Sequence, residues 1–386
     1  MDALVTDAQH KSVVAALRAL GRNGVRVLAV SPHRSAAGLW SRYAAGRAVG
    51  PDPGTDPSAF VETIRELVDR HGVRVVYPGT EESIGAILPR WSRIGDGAVL
   101  PYPGPESLRR IRDKRLLPGT AEAVGLRTPA TLMECTADEL AKRSVDLPIP
   151  CIIKPADPAA RPMGVHAISS PQDLEFALRR RRLPVEMPLV AQEWVRGPLI
   201  SVELVLSREG EVTERFQQVA SRTWPSAAGS ISLATSVDAD ERLIEQSAEM
   251  LRRVGYWGLA QLDFVVQGPD APVLIDVNPR FYACMPLALG CGVNLPAAWH
   301  EVALGGAAAG PSKYRKGVTF RWLEGDLVGA ARGDLRRLRT PVRTPTVGSM
   351  WDSEDPRAAV LLGARAVALR ARRAVRRLLP PRRLGE

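Results

Sequence analysis

Alternating apolar and polar stretches divide the first hundred positions into strands and helices. Ala3-Leu4-Val5-Thr6 has the composition of a short strand, and Asp7 to His10 that of a polar loop. Lys11 to Leu20 carries apolar residues at helical spacing and stops at Gly21 and Gly24. Val25 to Val30 is apolar on both faces, as a buried parallel strand requires. Phe60 to His71 is a second amphipathic helix and Val73 to Tyr77 a third strand. This β-α-β order predicts a doubly wound, Rossmann-like sheet. The first turn lacks G-x-G-x-x-G, so nothing in it points to NAD.

Pro101 to Pro105 marks a break, after which the pattern becomes mixed. Glu106 to Arg115 reads as a helix, Ile149 to Ile153 as a strand entering Lys154-Pro155, and Leu189 to Gln192 as another strand. Ser201 to Ser207 and Val212 to Val219 form a predicted hairpin around Arg208-Glu209-Gly210. Asp238 is placed to cap a helix running to Val254. A second hairpin pairs Gln261 to Val266 with Val273 to Val277.

That second hairpin carries the sharpest chemical signal. If Val266 faces Val273, then Asp263 faces Asp276 and Gln261 faces Asn278. Two carboxylates directly opposed on one face repel, and a hard divalent cation would resolve the conflict. Asp276 and Asn278 alternate by two and share a face, so with Asp263 they form a three-oxygen cluster. A solvent-facing hairpin with surface acids, or a bulge that separates them, remains the plainer alternative. Arg280 follows at the strand's end, where a planar cation suits a phosphate or carboxylate, or a simple rim salt bridge. Lys154 closes an apolar run and leads into the small-residue loop Ala156 to Gly164, which could cover phosphates. Lys114 lies at a helix end.

Composition narrows the class. The 386 residues are 45% hydrophobic and 24% charged, which excludes a disordered or fibrous chain. Cys135, Cys151, Cys284 and Cys291 include no CxxC pair, so a zinc or thioredoxin-type site is not expected. The longest uncharged run, Phe281 to His300, is broken by Pro286, Asn294 and Pro296, against a membrane span. Asp2 and Asp7 break any signal-peptide pattern. The net charge of +10 belongs to the tail: residues 332–386 carry +9 and residues 1–331 only +1. The basic balance therefore does not make the body a nucleic-acid binder.

In their order, these segments resemble the ATP-grasp superfamily of carboxylate–amine or carboxylate–thiol ligases over residues 1–310. The matching stretches are Asp113-Lys114-Arg115-Leu116-Leu117 with Gly125 to Pro129, Ile152 to Pro155, Gln192 to Gly197 leading to Ser201-Val202-Glu203, Gln261 to Phe264, and Ile275 to Arg280. A looser likeness, through Arg222-Thr223-Trp224-Pro225 before Gly229-Ser230, is to the bacterial branch that includes D-aspartate ligase.

The resemblance implies a Rossmann-like domain (1–104), an ATP-grasp N-terminal part (105–195), an ATP-grasp C-terminal part (196–310) and an Arg-rich extension (311–386). ATP would lie between two α+β subdomains, with Lys114 and Lys154 on its phosphates. Gln192, Glu193, Trp194 and Val195 would form the hinge at the adenine edge. Asp263, Asp276 and Asn278 would hold Mg²⁺, or Mn²⁺ in its place, and Arg280 would grip the transferred phosphoryl group.

The sequence departs from the superfamily at three points. Asp276 stands where many relatives have Glu, Leu199 stands where an acidic ribose contact is common, with Glu203 as its candidate replacement, and Arg161-Pro162-Met163 interrupt the phosphate loop. His10, Glu81, Gly229 and Ser230 are candidate substrate contacts, against a reading of His10 and Glu81 as capping and solvated loop residues. Tyr282 and Cys284 could line an acceptor pocket.

The implied activity is activation of a carboxylate as an acyl phosphate, with ADP release, and condensation with an amine, an amino acid in the leading reading. Phosphorylation without amide formation, and a non-catalytic nucleotide binder recruited by the tail, are the alternatives. The implied setting is cytoplasmic, with small-molecule carboxylate and amine partners and a compatible homodimer. Arg357 to Leu379 alternates apolar and arginine positions, as a helix lying on an anionic membrane would; a solvated helix packed on the body or a disordered end is the plainer alternative, and nucleic acid is the weaker partner.

Overall fold

The computed structural model describes residues 1–95, 97–158, 164–180, 186–224, 229–267, 272–306, 310–331, 333–339 and 345–364. The phosphate-loop residues Arg161-Pro162-Met163 and most of the expected tail helix lie outside them; residues 356–364 are helical.

The N-terminal sheet contains β1 (Ala3–Val5), β2 (Val27–Ser31), β3 (Ala44–Val49) and β4 (Val75–Tyr77) in the order β3-β2-β1-β4. All its pairings are parallel. Helices α1 (Lys11–Arg22), α2 (Pro57–His71) and α3 (Glu81–Ile87) connect or follow these strands. Strand β1 and the apolar face of α1 are fully buried, which is why both read clearly in sequence. Strand β3 alternates half-buried and exposed positions at the sheet edge, and its pattern AAGRAV has no strong apolar signal.

A small antiparallel sheet follows, with β5 (Thr131–Thr136), β6 (Cys151–Pro155), β7 (His166–Ile168) and β8 (Pro188–Glu193) in the order β5-β8-β6-β7. It has its own core, including Met133, Leu140, Ile153, Leu174 and Leu189.

The largest sheet has seven strands. They are β9 (Leu199–Leu206), β10 (Val212–Trp224), β11 (Ser230–Ser236), β12 (Gly258–Val265), β13 (Val273–Asn278), β14 (Thr319–Arg321) and β15 (Thr346–Gly348). The order is β13-β12-β9-β10-β11-β14-β15. Strands from beyond residue 310 thus complete this sheet. The apolar side chains of β9 and β12, such as Val202, Leu204 and Leu262, share one core with the N-terminal sheet. Trp299 anchors that core: its Nε1 donates to Pro101 O at 3.1 Å, and Tyr77, Tyr102 and Phe281 pack around its ring.

Two expectations change in detail. The helix expected behind Asp238 spans Glu241–Arg253 and is capped by Asp240, whose Oδ1 accepts from Leu243 N at 3.1 Å. Asp238 instead pairs with Lys316. The uncharged run after residue 280 becomes two short buried helices, Pro286–Cys291 and Leu295–Ala303. Among the described residues no helix is long and apolar enough to cross a membrane.

Candidate active site

The hairpin β12–β13 sets the geometry. Asp263 faces Asp276 and Gln261 faces Asn278, as expected, but Val265 rather than Val266 faces Val273. An irregularity between Asp263 and Phe264 absorbs the one-residue difference. The bulge therefore preserves the carboxylate pair. Asp263 Oδ1 accepts from Ser201 Oγ on β9 at 2.6 Å, and Asn278 Nδ2 donates to Asp263 Oδ2 at 3.3 Å. Ser201 was not foreseen as a site residue; its alignment with Asp263 in the β9–β12 ladder is the signal that would have found it.

Two cations meet this pair. Lys114 follows the helix Pro105–Arg112 in a turn whose backbone is tied to β6, with Lys114 N donating to Ala156 O at 2.8 Å. Its Nζ donates to Asp276 Oδ1. Lys154 Nζ, on β6, donates to Ile275 O at 2.9 Å. Burial, together with the nearby Lys114 charge, pushes the Lys154 ammonium down to about 7. Burial also pushes the Asp263 carboxyl up to about 7. The Asp276 side chain is 37% exposed; partial burial opposes its charge, but Lys114 and Lys154 outweigh that cost and hold its carboxyl below the usual range.

Arg280 donates through Nε to Glu81 Oε1 at 2.8 Å and through Nη2 to Asn278 Oδ1 at 3.0 Å. Glu81, at the start of α3, also pairs with Arg112 Nη2 at 2.7 Å. Burial opposes its charge, but the two guanidiniums hold its carboxyl low. Asp7 positions the turn beside it: Thr6 Oγ1, Ser83 Oγ and Gly79 N all donate to Asp7 Oδ2, at 2.5, 2.6 and 3.2 Å. Asp7 has φ +62°, uncommon for a residue with a Cβ. Arg112 carried no chemical signal in sequence, because its partners Glu81 and Asp157 lie far along the chain.

Most of these groups, though not Ser201, Arg112 or Asp7, line two adjoining cavities that share Lys154, Val165 and Asp276. The first, about 440 Å³, is walled by His10, Ser12, Glu81, Lys114, Asn278 and Arg280 among others. The second, about 460 Å³, runs between the small sheet and the large one past Ile152, Gln192, Glu193, Trp194, Val195 and Gly229, and includes Asp263. Its hinge is tight: a Cβ on Gly197 would stand 1.9 Å from Val266 O. Ser230 is exposed at the start of β11 and lines neither cavity. Glu203 is a correction. It is fully buried, its Oε1 accepts from Gln218 and Gln261, and it does not line the hinge cavity, so it offers no ribose contact. Tyr282 and Cys284 are likewise buried outside both linings.

The donor set suits a hard cation: two carboxylates and an amide oxygen beside lysine and arginine charge. Among the described residues no three His, Cys, Asp or Glu side chains converge as a metal site, so this cluster depends on Asn278.

Comparison with known proteins agrees with the geometry. Residues 111–284 match the ATP-grasp domain family. A carbamoyl phosphate synthase large chain from Myxococcus xanthus is 25% identical over 201 residues, covering 49% of this chain and 18% of that protein. A D-alanine–D-alanine ligase from Anaeromyxobacter dehalogenans is 26% identical over 167 residues, covering 39% and 53%. The chain thus spans about half, or less, of the curated relatives it matches. The solved L-amino acid ligase of Bacillus licheniformis shares the fold, with TM-score 0.60 and 17% identity over 78% of this chain and 74% of that one. The span that matches the ATP-grasp domain family, residues 111–284, holds Lys114, Lys154, Gln192 to Val195, the opposed aspartates and Arg280, so most of the side chains assembled at the two cavities lie within the matched segment.

Proposed function

We propose that the protein is an ATP- and Mg²⁺-dependent carboxylate–amine ligase that releases ADP and forms an amide bond, with an amino acid as one substrate. The carrying observation is that the two cavities meet at Lys154 and Asp276. One side offers a hinge slot of nucleotide size; the other offers Arg280, Glu81 and His10 from two domains.

In this reading the hinge residues Gln192 to Val195 face the adenine, and Lys114 and Lys154 lie along the phosphates. Asp263, Asp276 and Asn278 hold Mg²⁺, which adds positive charge beside those phosphates. A substrate carboxylate oxygen attacks the γ-phosphorus, and ADP leaves with the electrons of the broken P–O bond. The amine then attacks the acyl carbon of the acyl phosphate, loses a proton, and expels phosphate. Arg280 is placed to neutralise the transferred group, with Glu81 and Asn278 fixing its guanidinium. Positioning and charge neutralisation carry such a reaction, and no nucleophilic side chain is needed.

The test is ADP release from Mg²⁺-ATP with pooled amino acids and small carboxylates, followed by mass spectrometry. ADP together with a mass equal to two substrates less water supports the reading. ADP without a condensed product indicates phosphorylation alone. Nucleotide binding with no turnover in any pool indicates a binder.

A further inference from the structure

The oxygens that suit a metal ion are engaged by donors of the protein itself. Asp276 Oδ1 accepts from both Lys114 Nζ and Val277 N. Asn278 Oδ1 accepts from Arg280 Nη2 at 3.0 Å. Asp263 Oδ1 accepts from Ser201 Oγ at 2.6 Å, and its Oδ2 from Asn278 Nδ2 at 3.3 Å. Among the described residues, Asp276 Oδ2 is the one oxygen of the set with no hydrogen bond.

The two cations in this arrangement are held differently. Arg280 has a second anchor in the carboxylate of Glu81, at 2.8 Å. Lys114 has no such reserve: among the described residues Asp276 is its sole ionic partner. The Lys114 side chain is 5% exposed, against 37% for Asp276. Water can therefore take the place of Lys114 at Asp276, but it cannot take the place of Asp276 at Lys114. An enclosed ammonium stripped of its anion is strongly disfavoured. Lys114 and a divalent cation are, moreover, like charges competing for one carboxylate.

We propose that Lys114 is a placeholder for the metal ion, released from Asp276 only when a nucleotide phosphate offers it another anion. A divalent cation arriving alone strands Lys114. Nucleotide arriving alone draws Lys114 away and leaves two opposed carboxylates beside its phosphates. Metal and nucleotide therefore enter as a unit, and each raises the affinity of the other by the same factor. The inference rests on the reading of Asp263, Asp276 and Asn278 as the metal site. It goes beyond that reading by giving Lys114 a second task, the exclusion of metal from the nucleotide-free protein.

The experiment is titration of Mn²⁺ into the full-length, nucleotide-free protein, with free Mn²⁺ read by electron paramagnetic resonance. Lys114→Met should bind Mn²⁺ about tenfold more tightly than wild type, the change expected when a paired state populated about nine to one is abolished. The same substitution should weaken binding of the Mn²⁺–ADP complex, because the phosphate loses its lysine. Lys154→Met is the control. It removes a neighbouring charge whose Nζ donates to Ile275 O rather than to a carboxylate, so nucleotide-free Mn²⁺ affinity should change less. Lys114→Gln, which keeps a donor without the charge, stands in if Lys114→Met does not fold. Nucleotide-free Mn²⁺ affinity no higher in the Lys114 variant than in wild type overturns the proposal. So does an equal gain in Lys154→Met, which would reduce the effect to net charge, or unchanged binding of the Mn²⁺–ADP complex. Absence of Mn²⁺ binding by every variant, with and without ADP, overturns the metal site itself. No turnover is involved, so the outcome is independent of whether the wild type forms an amide.

Discussion

Lys114 and Asp276 lie 162 positions apart in sequence and form a hydrogen-bonded ion pair between the two cavities. The pair joins the turn before the small sheet to the hairpin of the large one, at the point where both cavities meet. Lys114→Met removes the charge that holds Asp276 ionised beside Asp263. Turnover should fall by roughly 10²-fold or more, the scale of losing one stabilising charge at a reacting centre. Asp276→Ala should abolish ADP formation with the fold intact. ADP release read against the far-ultraviolet circular dichroism spectrum checks both, and normal turnover by either variant would refute the site.

Glu81 is held between Arg112 and Arg280. Glu81→Ala leaves the buried Arg112, among the described residues, with only the more distant Asp157, at 3.6 Å, as an ionic partner. Breaking a buried pair in this way costs about 3 kcal/mol or more. Urea unfolding should therefore show a lower midpoint with an unchanged slope. Arg280→Lys at the same site should keep most of the stability and lose most of the turnover, since a point charge does not replace the fork.

In the proposed reading, Lys154 would link nucleotide binding to proton uptake. Its native ammonium loses its proton near 7, against 10.5 for an ordinary lysine. Between those values the unfolded chain binds more protons than the native one, so this residue makes stability rise with pH across that window. Below it, the full cost of the buried charge is present. Phosphates arriving at Lys154 favour its charged form. ATP binding within the window should therefore take up a proton, read by calorimetry in buffers of different ionisation enthalpy. Lys154→Met should abolish that uptake; an unchanged uptake would move the phosphate contact elsewhere.

Asp355 ties the C-terminal segment to the N-terminal domain. Its carboxylate accepts from Arg18 Nε at 2.9 Å, Ser41 Oγ at 2.8 Å and Arg42 N at 3.0 Å, and it is 1% exposed. Asp355→Ala leaves the buried Arg18 guanidinium without its nearest carboxylate and should destabilise the chain by about 3 kcal/mol. A melting temperature within experimental error of the wild type would show that the segment is dispensable for stability.

What could be read along the chain by itself were features that depend on near neighbours. The parallel strands are fully buried and so appear as unbroken apolar runs, as in Val27 to Val30. Asp263, Asp276 and Asn278 sit in one hairpin, where a period of two and a short turn make the register countable. Lys154 and Arg280 stood out as cations at strand ends, whereas Gln192 to Val195 were singled out only because their segment recurs in a known order. Tertiary structure decided the rest, because its partners come from distant segments. It set Arg112 and Arg280 on Glu81, Lys114 on Asp276, and Arg18 on Asp355. It also moved Glu203 from an expected nucleotide contact to a buried tier with Gln218, Gln261 and Cys284. A strand residue's neighbours across the sheet are fixed by strand order, and the order β12-β9-β10 is a property of the fold rather than of any local pattern.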